Sequence, residues 1–161
     1  MGIIGSGGMK RGRDMRKFSS IDEVLDFAIS REVEAQEFYI KLAGFVEAPE
    51  MVKVLLDLVS EELEHKSKLE SVKAGKSGLD GEKVGSLGIA EKVKKIEPNP
   101  KMKYTDLLVI GMKKEETSCK LYSELEKIAK EQDIKDIFHE LAQEEAGHKM
   151  RFEIEYDLMT F

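Results

Sequence analysis

Two glutamate–histidine pairs, Glu62 with His65 and Glu145 with His148, stand on the apolar stripes of long helical segments, where an ionisable side chain is least expected. Around Glu62 the stripe reads Leu55, Leu58, Val59 and Leu69; around Glu145 it reads Phe138, Leu141, Ala142 and Phe152. Offsets of three, four and seven residues put each set on one helical face. A carboxylate buried there alone costs several kcal/mol, so it must meet a positive partner or take up a proton. The chain therefore has to fold into helices whose polar groups answer one another across a shared interior.

The two pairs are separated by one interval, since 62 to 145 and 65 to 148 both span 83 residues. The same shift carries Leu25 to Leu108, Glu32 to Glu115, Tyr39 to Tyr122, Leu42 to Leu125 and Lys66 to Lys149. The sequence reads as a tandem duplication. Glu32 is flanked by Leu25, Ala28, Ile29, Ala35 and Tyr39, and Glu115 by Leu108, Met112, Ser118 and Tyr122, so each is the carboxylate of its own apolar stripe.

Helical period and punctuation divide the chain into four helices. Ser20 with Glu23 has capping-box spacing and opens a first helix over about 20–46. Pro49 suits the first turn of a second, which runs to about Ala74. Gly75, Gly78, Gly81, Gly85 and Gly88, closed by Pro98-Asn99-Pro100, make about 75–103 a crossover connection. A short helix over Ile89 to Ile96 is weighed within it, on few apolar residues. A third helix begins after Lys103, with Thr105 as its candidate cap, and a fourth starts near Asp133 and continues almost to the end. Two antiparallel helical hairpins joined by a long crossover make an all-α four-helix bundle over residues 20–161. Residues 1–19, which open on a glycine-rich leader, are expected to be a flexible N-terminal extension.

With 161 residues, 41% of them hydrophobic, the chain suits one buried core. A net charge of -6 with interspersed glutamates leaves no basic stripe for nucleic acid. The single cysteine, Cys119, rules out a disulfide framework and any CxxC metal site within the chain. With no run of 18 apolar residues and no apolar signal core, a cytoplasmic protein that neither spans nor binds membranes is expected.

Three residues along a helix turn a side chain by 300° and advance it by about 4.5 Å, so Glu62 and His65 can close on one ion, as can Glu145 and His148. Four glutamates directed to one axis carry four negative charges, which two divalent ions cancel. Mixed carboxylate and imidazole donors suit iron or manganese.

In the order Glu, ExxH, Glu, ExxH, the stretch from about 20 to 159 resembles the ferritin-like family of di-iron and di-manganese carboxylate proteins, and within it the rubrerythrin branch. The resemblance implies that Glu32, Glu62, Glu115 and Glu145 are carboxylate ligands, with Glu62 and Glu115 or their mates bridging, and that His65 and His148 bind one ion each. Glu61 and Glu144 match the acidic position that orients the histidine of the opposite motif, with solvent-exposed helix charge as the alternative. For Tyr39 and Tyr122, core packing is favoured over a redox or hydrogen-bonding role. The implied cofactor is two iron ions per chain, with manganese as the alternative. The implied function is reduction of hydrogen peroxide or dioxygen with electrons from an external carrier such as rubredoxin, in a homodimer or small homo-oligomer. A di-manganese catalase and a ferroxidase or iron-binding protein are the rival readings. Two departures stand out: no rubredoxin module follows, and the extra helix glutamate of rubrerythrins is missing, since Met112, Ser118 and Cys119 neighbour Glu115. His139 reads as a surface residue and Cys119 as a small core residue.

Overall fold

The computed structural model describes residues 15–16, 18–75, 83, 89–90 and 101–161. Among the described residues four long helices carry the chain: α1 (Ile21–Ala43), α2 (Pro49–Gly75), α3 (Tyr104–Ile128) and α4 (Gln132–Thr160). Two short strands, β1 (Met15–Arg16) and β2 (Ile89–Ala90), pair antiparallel, Met15 opposite Ala90 and Arg16 opposite Ile89. Among the described residues no helix is long and apolar enough to cross a membrane.

The helix ends follow local chemistry. Ser20 accepts a hydrogen bond from the Glu23 N–H at 3.1 Å, capping α1, while the Glu23 carboxylate accepts from the Ser19 N–H at 3.1 Å, one residue earlier than a capping box requires. At the other end the N–H groups of Gly44, Phe45 and Val46 bond to carbonyls three residues back, so the chain stays coiled to 46 although the α-helix stops at Ala43. Thr105 is not the cap of α3. Lys103 holds that position, and the Asp106 carboxylate accepts from its backbone N–H at 3.1 Å.

The apolar side chains form two clusters. One contains Val24, Leu25 and Ala28 of α1, Leu69 and Val72 of α2, Leu121, Tyr122 and Leu125 of α3, and Phe138 and Leu141 of α4. The other contains Phe38, Tyr39 and Leu42 of α1, Leu55 and Leu58 of α2, Leu107 and Leu108 of α3, and Phe152 of α4. The start of α1 therefore lies with the end of α3, and the end of α2 with the start of α4, so each of these pairs runs antiparallel and α2 lies parallel to α3. Two helices consecutive in the chain that run parallel demand a crossover between them. Residues related by the 83-residue shift fall at opposite ends: Leu25 and Leu108, Leu42 and Leu125, Leu55 and Phe138, Leu69 and Phe152. The repeat thus acts as a pseudo-twofold axis perpendicular to the bundle, passing between the clusters. Close packing is local too: a Cβ on Gly111 would stand 3.2 Å from the Phe152 ring, where the first repeat has Ala28.

Two further features stand at the edges of the bundle. Phe18 is buried in the first cluster, its ring 5.3 Å from that of Phe27, so the extension joins the core before residue 20. An aromatic side chain preceding a helix start has apolar surface to bury, and here the α1 face receives it. Ile89–Ala90, the start of the stretch weighed as a short helix, is extended and paired with β1. The rest of that stretch, the glycine-rich part of the crossover after Gly75 and the leader before Met15 lie outside the described residues.

Candidate metal centre

Between the two apolar clusters lies a belt of six polar side chains, one from each of α1 and α3 and two from each of α2 and α4. Glu32, Glu62, His65, Glu115, Glu145 and His148 are each no more than 3% exposed. The turn before each glutamate carries no polar side chain, Ala28 and Ile29 before Glu32, Leu58 and Val59 before Glu62, Gly111 and Met112 before Glu115, Leu141 and Ala142 before Glu145, and this pins the same face inward.

The donor atoms form two overlapping groups, Glu32, Glu62, His65 and Glu145 in one, Glu62, Glu115, Glu145 and His148 in the other, with the atoms of each within 4.8 Å of one another. Glu62 and Glu145 belong to both. The shared pair is therefore the two motif glutamates rather than Glu62 with Glu115, because the pseudo-twofold axis exchanges Glu62 with Glu145 and only mates can sit symmetrically between two sites.

Nδ1 of His65 lies 2.7 Å from Glu145 Oε1, 3.3 Å from Glu62 Oε2 and 3.7 Å from Glu32 Oε2. Nδ1 of His148 lies 2.8 Å from Glu62 Oε1 and 3.5 Å from Glu115 Oε2. Despite these distances none has the geometry of a hydrogen bond. Glu32 Oε2, both Glu62 oxygens, His65 Nδ1, Glu115 Oε2, Glu145 Oε1 and His148 Nδ1 are all buried with no hydrogen-bond partner. Orphaned buried donors and acceptors are rare because each costs about 1–3 kcal/mol. Cations among these seven atoms would satisfy them, and an oxygen-rich set with one imidazole per group is of the kind that suits iron or manganese.

The outer nitrogens of the imidazoles are accounted for. His65 Nε2 bonds to Glu144, and His148 Nε2 bonds to Glu61, each a residue of the opposite motif. These carboxylates favour the Nε2–H tautomer, which leaves the Nδ1 lone pair facing inward. The rings stack with centroids 5.9 Å apart and planes 12° from parallel. Glu61 and Glu144 keep substantial exposure, 42% and 39%, so they connect the histidines to the surface.

Electrostatics without metal follow from crowding. Burial first, then Glu62, pushes the Glu32 carboxyl up to about 8, although His65 opposes the shift. Burial and the charge of Glu115 hold the Glu145 carboxyl well above the usual range. Burial works against protonating the imidazoles, yet the surrounding carboxylates win: His148 is pushed up to about 11, chiefly by Glu115 and Glu62, and His65 moves far in the same direction through Glu145, Glu32 and Glu62. Protons gather here where cations are wanted.

The tyrosines divide. The Tyr39 ring packs 5.5 Å from Phe152 and 5.6 Å from Phe38, and its buried hydroxyl has no hydrogen-bond partner. Tyr122 stacks on Phe138 at 6.4 Å, but its hydroxyl donates to Glu32. Packing alone is thus corrected for Tyr122. Spacing along α3 relates it only to Glu115, whereas its partner lies on the antiparallel neighbour. Cys119 is half-buried against the first cluster, its thiol pushed up by burial and then by Glu145. His139 is exposed and 3.1 Å from Glu126, away from the centre.

The sequence matches the rubrerythrin family over residues 23–156. This chain belongs to the rubrerythrin family. The matched residues contain all six members of the belt and both outer glutamates. Among solved structures, a hypothetical protein from Pyrococcus furiosus has a similar fold, with a TM-score of 0.69 and 26% identity over 85% of this chain and 88% of that one. No curated protein matches the sequence. Membership of the rubrerythrin family and the buried carboxylate–histidine cluster together are compatible with a di-iron site.

Proposed function

We propose that this protein is a di-iron oxidoreductase that reduces hydrogen peroxide or dioxygen in the cytoplasm with electrons from an external carrier such as rubredoxin, as a homodimer or small homo-oligomer. The observation that carries the reading is the set of seven buried, unpartnered ligand atoms in a member of the rubrerythrin family. Glu32, Glu62, His65 and Glu145 would hold one ion, and Glu62, Glu115, Glu145 and His148 the other. When bound, two iron ions supply the electrons and the Lewis acidity that reduction of an O–O bond needs.

The protein's own groups do the rest. Four carboxylates neutralise the charge of two divalent ions in a low-dielectric belt, and the two shared glutamates keep the sites adjacent. Glu144 and Glu61 fix the imidazole tautomers and give each ring a proton-accepting partner at the surface. Tyr122 holds Glu32 through its Oε1 and presents a proton beside it. Phe138, Phe152 and the leucines at either end exclude water along the bundle axis.

Elemental analysis with an optical spectrum tests the reading. Protein reconstituted with iron should hold close to two ions per chain, the capacity of one dinuclear site, and develop near-ultraviolet absorption on oxidation. Content well below one per chain sinks the site. Selective retention of manganese moves the answer to a catalase. Peroxide should oxidise the reduced protein much faster than dioxygen, with turnover only when a carrier is supplied. A large cage that goes on accumulating iron would instead establish a ferroxidase.

A further inference from the structure

We propose that the two halves of the centre hold metal unequally: the group of Glu32, Glu62, His65 and Glu145 binds its ion more tightly than the group of Glu62, Glu115, Glu145 and His148, and the Tyr122 hydroxyl sets the difference. This inference rests on the di-iron reading above. The 83-residue shift makes the two groups equivalent in their ligands, in the carboxylate partners of their imidazoles, and in a buried tyrosine seven residues after the helix glutamate. They part at the tyrosine hydroxyls. Tyr122 of α3 donates to Glu32 Oε1 of α1. The same shift would have Tyr39 donate to Glu115, yet the Tyr39 hydroxyl is buried with no hydrogen-bond partner, and Glu115 Oε2 is likewise without one.

The cause is a mismatch between the repeats in the layers around the rings. Tyr122 stacks on Phe138, and the residue that the shift puts in its place beside Tyr39 is Leu55. Tyr39 instead packs against Phe38 and Phe152, where the other cluster has Leu121 and Leu69. Phe152 is seated against Gly111, at a distance that a Cβ there would reduce to 3.2 Å, and the counterpart of Gly111 is Ala28. The two tyrosines therefore occupy differently shaped sites in close-packed layers, and one hydroxyl meets its carboxylate while the other does not.

An anchored carboxylate is a better ligand than a free one, because its orientation is set before the ion arrives. Tyr122 takes Oε1 of Glu32 and leaves Oε2 unpaired, 3.7 Å from His65 Nδ1, so the free oxygen faces the centre. Glu115 lacks a tyrosine anchor and gives up rotamer freedom when it ligates. It also lines a cleft of about 220 Å³ between α1 and α3, bordered by Ala35 and Ser118 and partly open to solvent, so its side of the centre stands nearer to water. Tyr122 is thus a positioning residue that acts through Glu32. Partners of this kind change metal affinity by about 10–100-fold.

Ferrous iron is the probe, titrated without oxygen and against a competing chelator into the metal-free full chain and its variants Tyr122→Phe, Tyr39→Phe and Glu115→Gln. Far-ultraviolet helicity and the metal-free melting temperature are measured in each, so that a folding defect is seen as such. Wild type should take up two ions in two steps whose affinities differ by about tenfold or more. Tyr122→Phe should weaken the tighter step by about 10–100-fold and leave the weaker one in place, and Tyr39→Phe should leave both unchanged. Glu115→Gln should remove the weaker step and keep the tighter. Two ions entering wild type in a single step, a Tyr39→Phe variant weakened as much as Tyr122→Phe, or loss of the tighter step in folded Glu115→Gln overturns the inference. A wild type that takes up no iron overturns the di-iron reading and the inference with it, and the ion count separates that result from failure of the inference alone.

Discussion

Removing the metal should make the stability of this protein fall as pH rises, and the size of the effect can be worked from Glu32. Its carboxyl moves from an ordinary value of 4.5 to about 8 in the folded chain. A group whose proton affinity is raised by folding stabilises the fold while it stays protonated, and that contribution is lost as pH climbs from the unfolded value through the folded one. At about 1.4 kcal/mol for each tenfold change in affinity, Glu32 alone removes on the order of 3–4 kcal/mol between pH 5 and pH 8. Glu145 and both histidines are shifted upwards as well, so they act in the same direction. For a chain of this size, with about 2–4 °C of melting temperature per kcal/mol, the chelated protein should melt roughly 10 °C lower at pH 8 than at pH 5. Thermal unfolding followed by circular dichroism at constant ionic strength measures this. Metal-loaded protein should show no such fall, because its carboxylates are already ionised against the cations. Glu32→Gln should flatten the metal-free profile and raise the pH 8 melting point above that of wild type. A metal-free wild type that melts within about 3 °C at both pH values, or higher at pH 8, would refute the account of the belt as protons held in place of cations.

Glu144→Gln should weaken iron binding by about 10–100-fold in chelator competition, because it removes the partner of His65 Nε2, while leaving the metal-free melting temperature nearly unchanged. Phe152→Ala, which empties a fully buried ring site beside Tyr39 and Gly111, should cost about 3–5 kcal/mol in denaturant unfolding. Ser20→Ala should cost about 1 kcal/mol by freeing the Glu23 N–H at the start of α1, and Ser20→Asp should restore it.

What was legible in the sequence was whatever repeats along a single helix. Period and interval placed Glu32, Glu62, His65, Glu115, Glu145 and His148 on inward stripes, and burial of all six at 3% exposure or less follows from the apolar residues that share those stripes. What was not legible depends on which helix faces which, and in what direction. Tyr122 reaches Glu32 only because α3 runs antiparallel to α1, and seven residues of spacing from Glu115 carry no trace of that contact. The shared glutamates follow from symmetry once the axis is known, and the axis is a property of the assembled hairpins. Arg31 is the sharpest case. On its own helix it is a charged residue beside a ligand, indistinguishable from the solvated lysines and glutamates around it. Only the assembled helices bury its Nη2 and place it in a pocket shared with Ser118 of α3. A duplicated sequence therefore announces its paired ligands twice, while the features on the symmetry axis, where one copy meets the other, arise only from the fold.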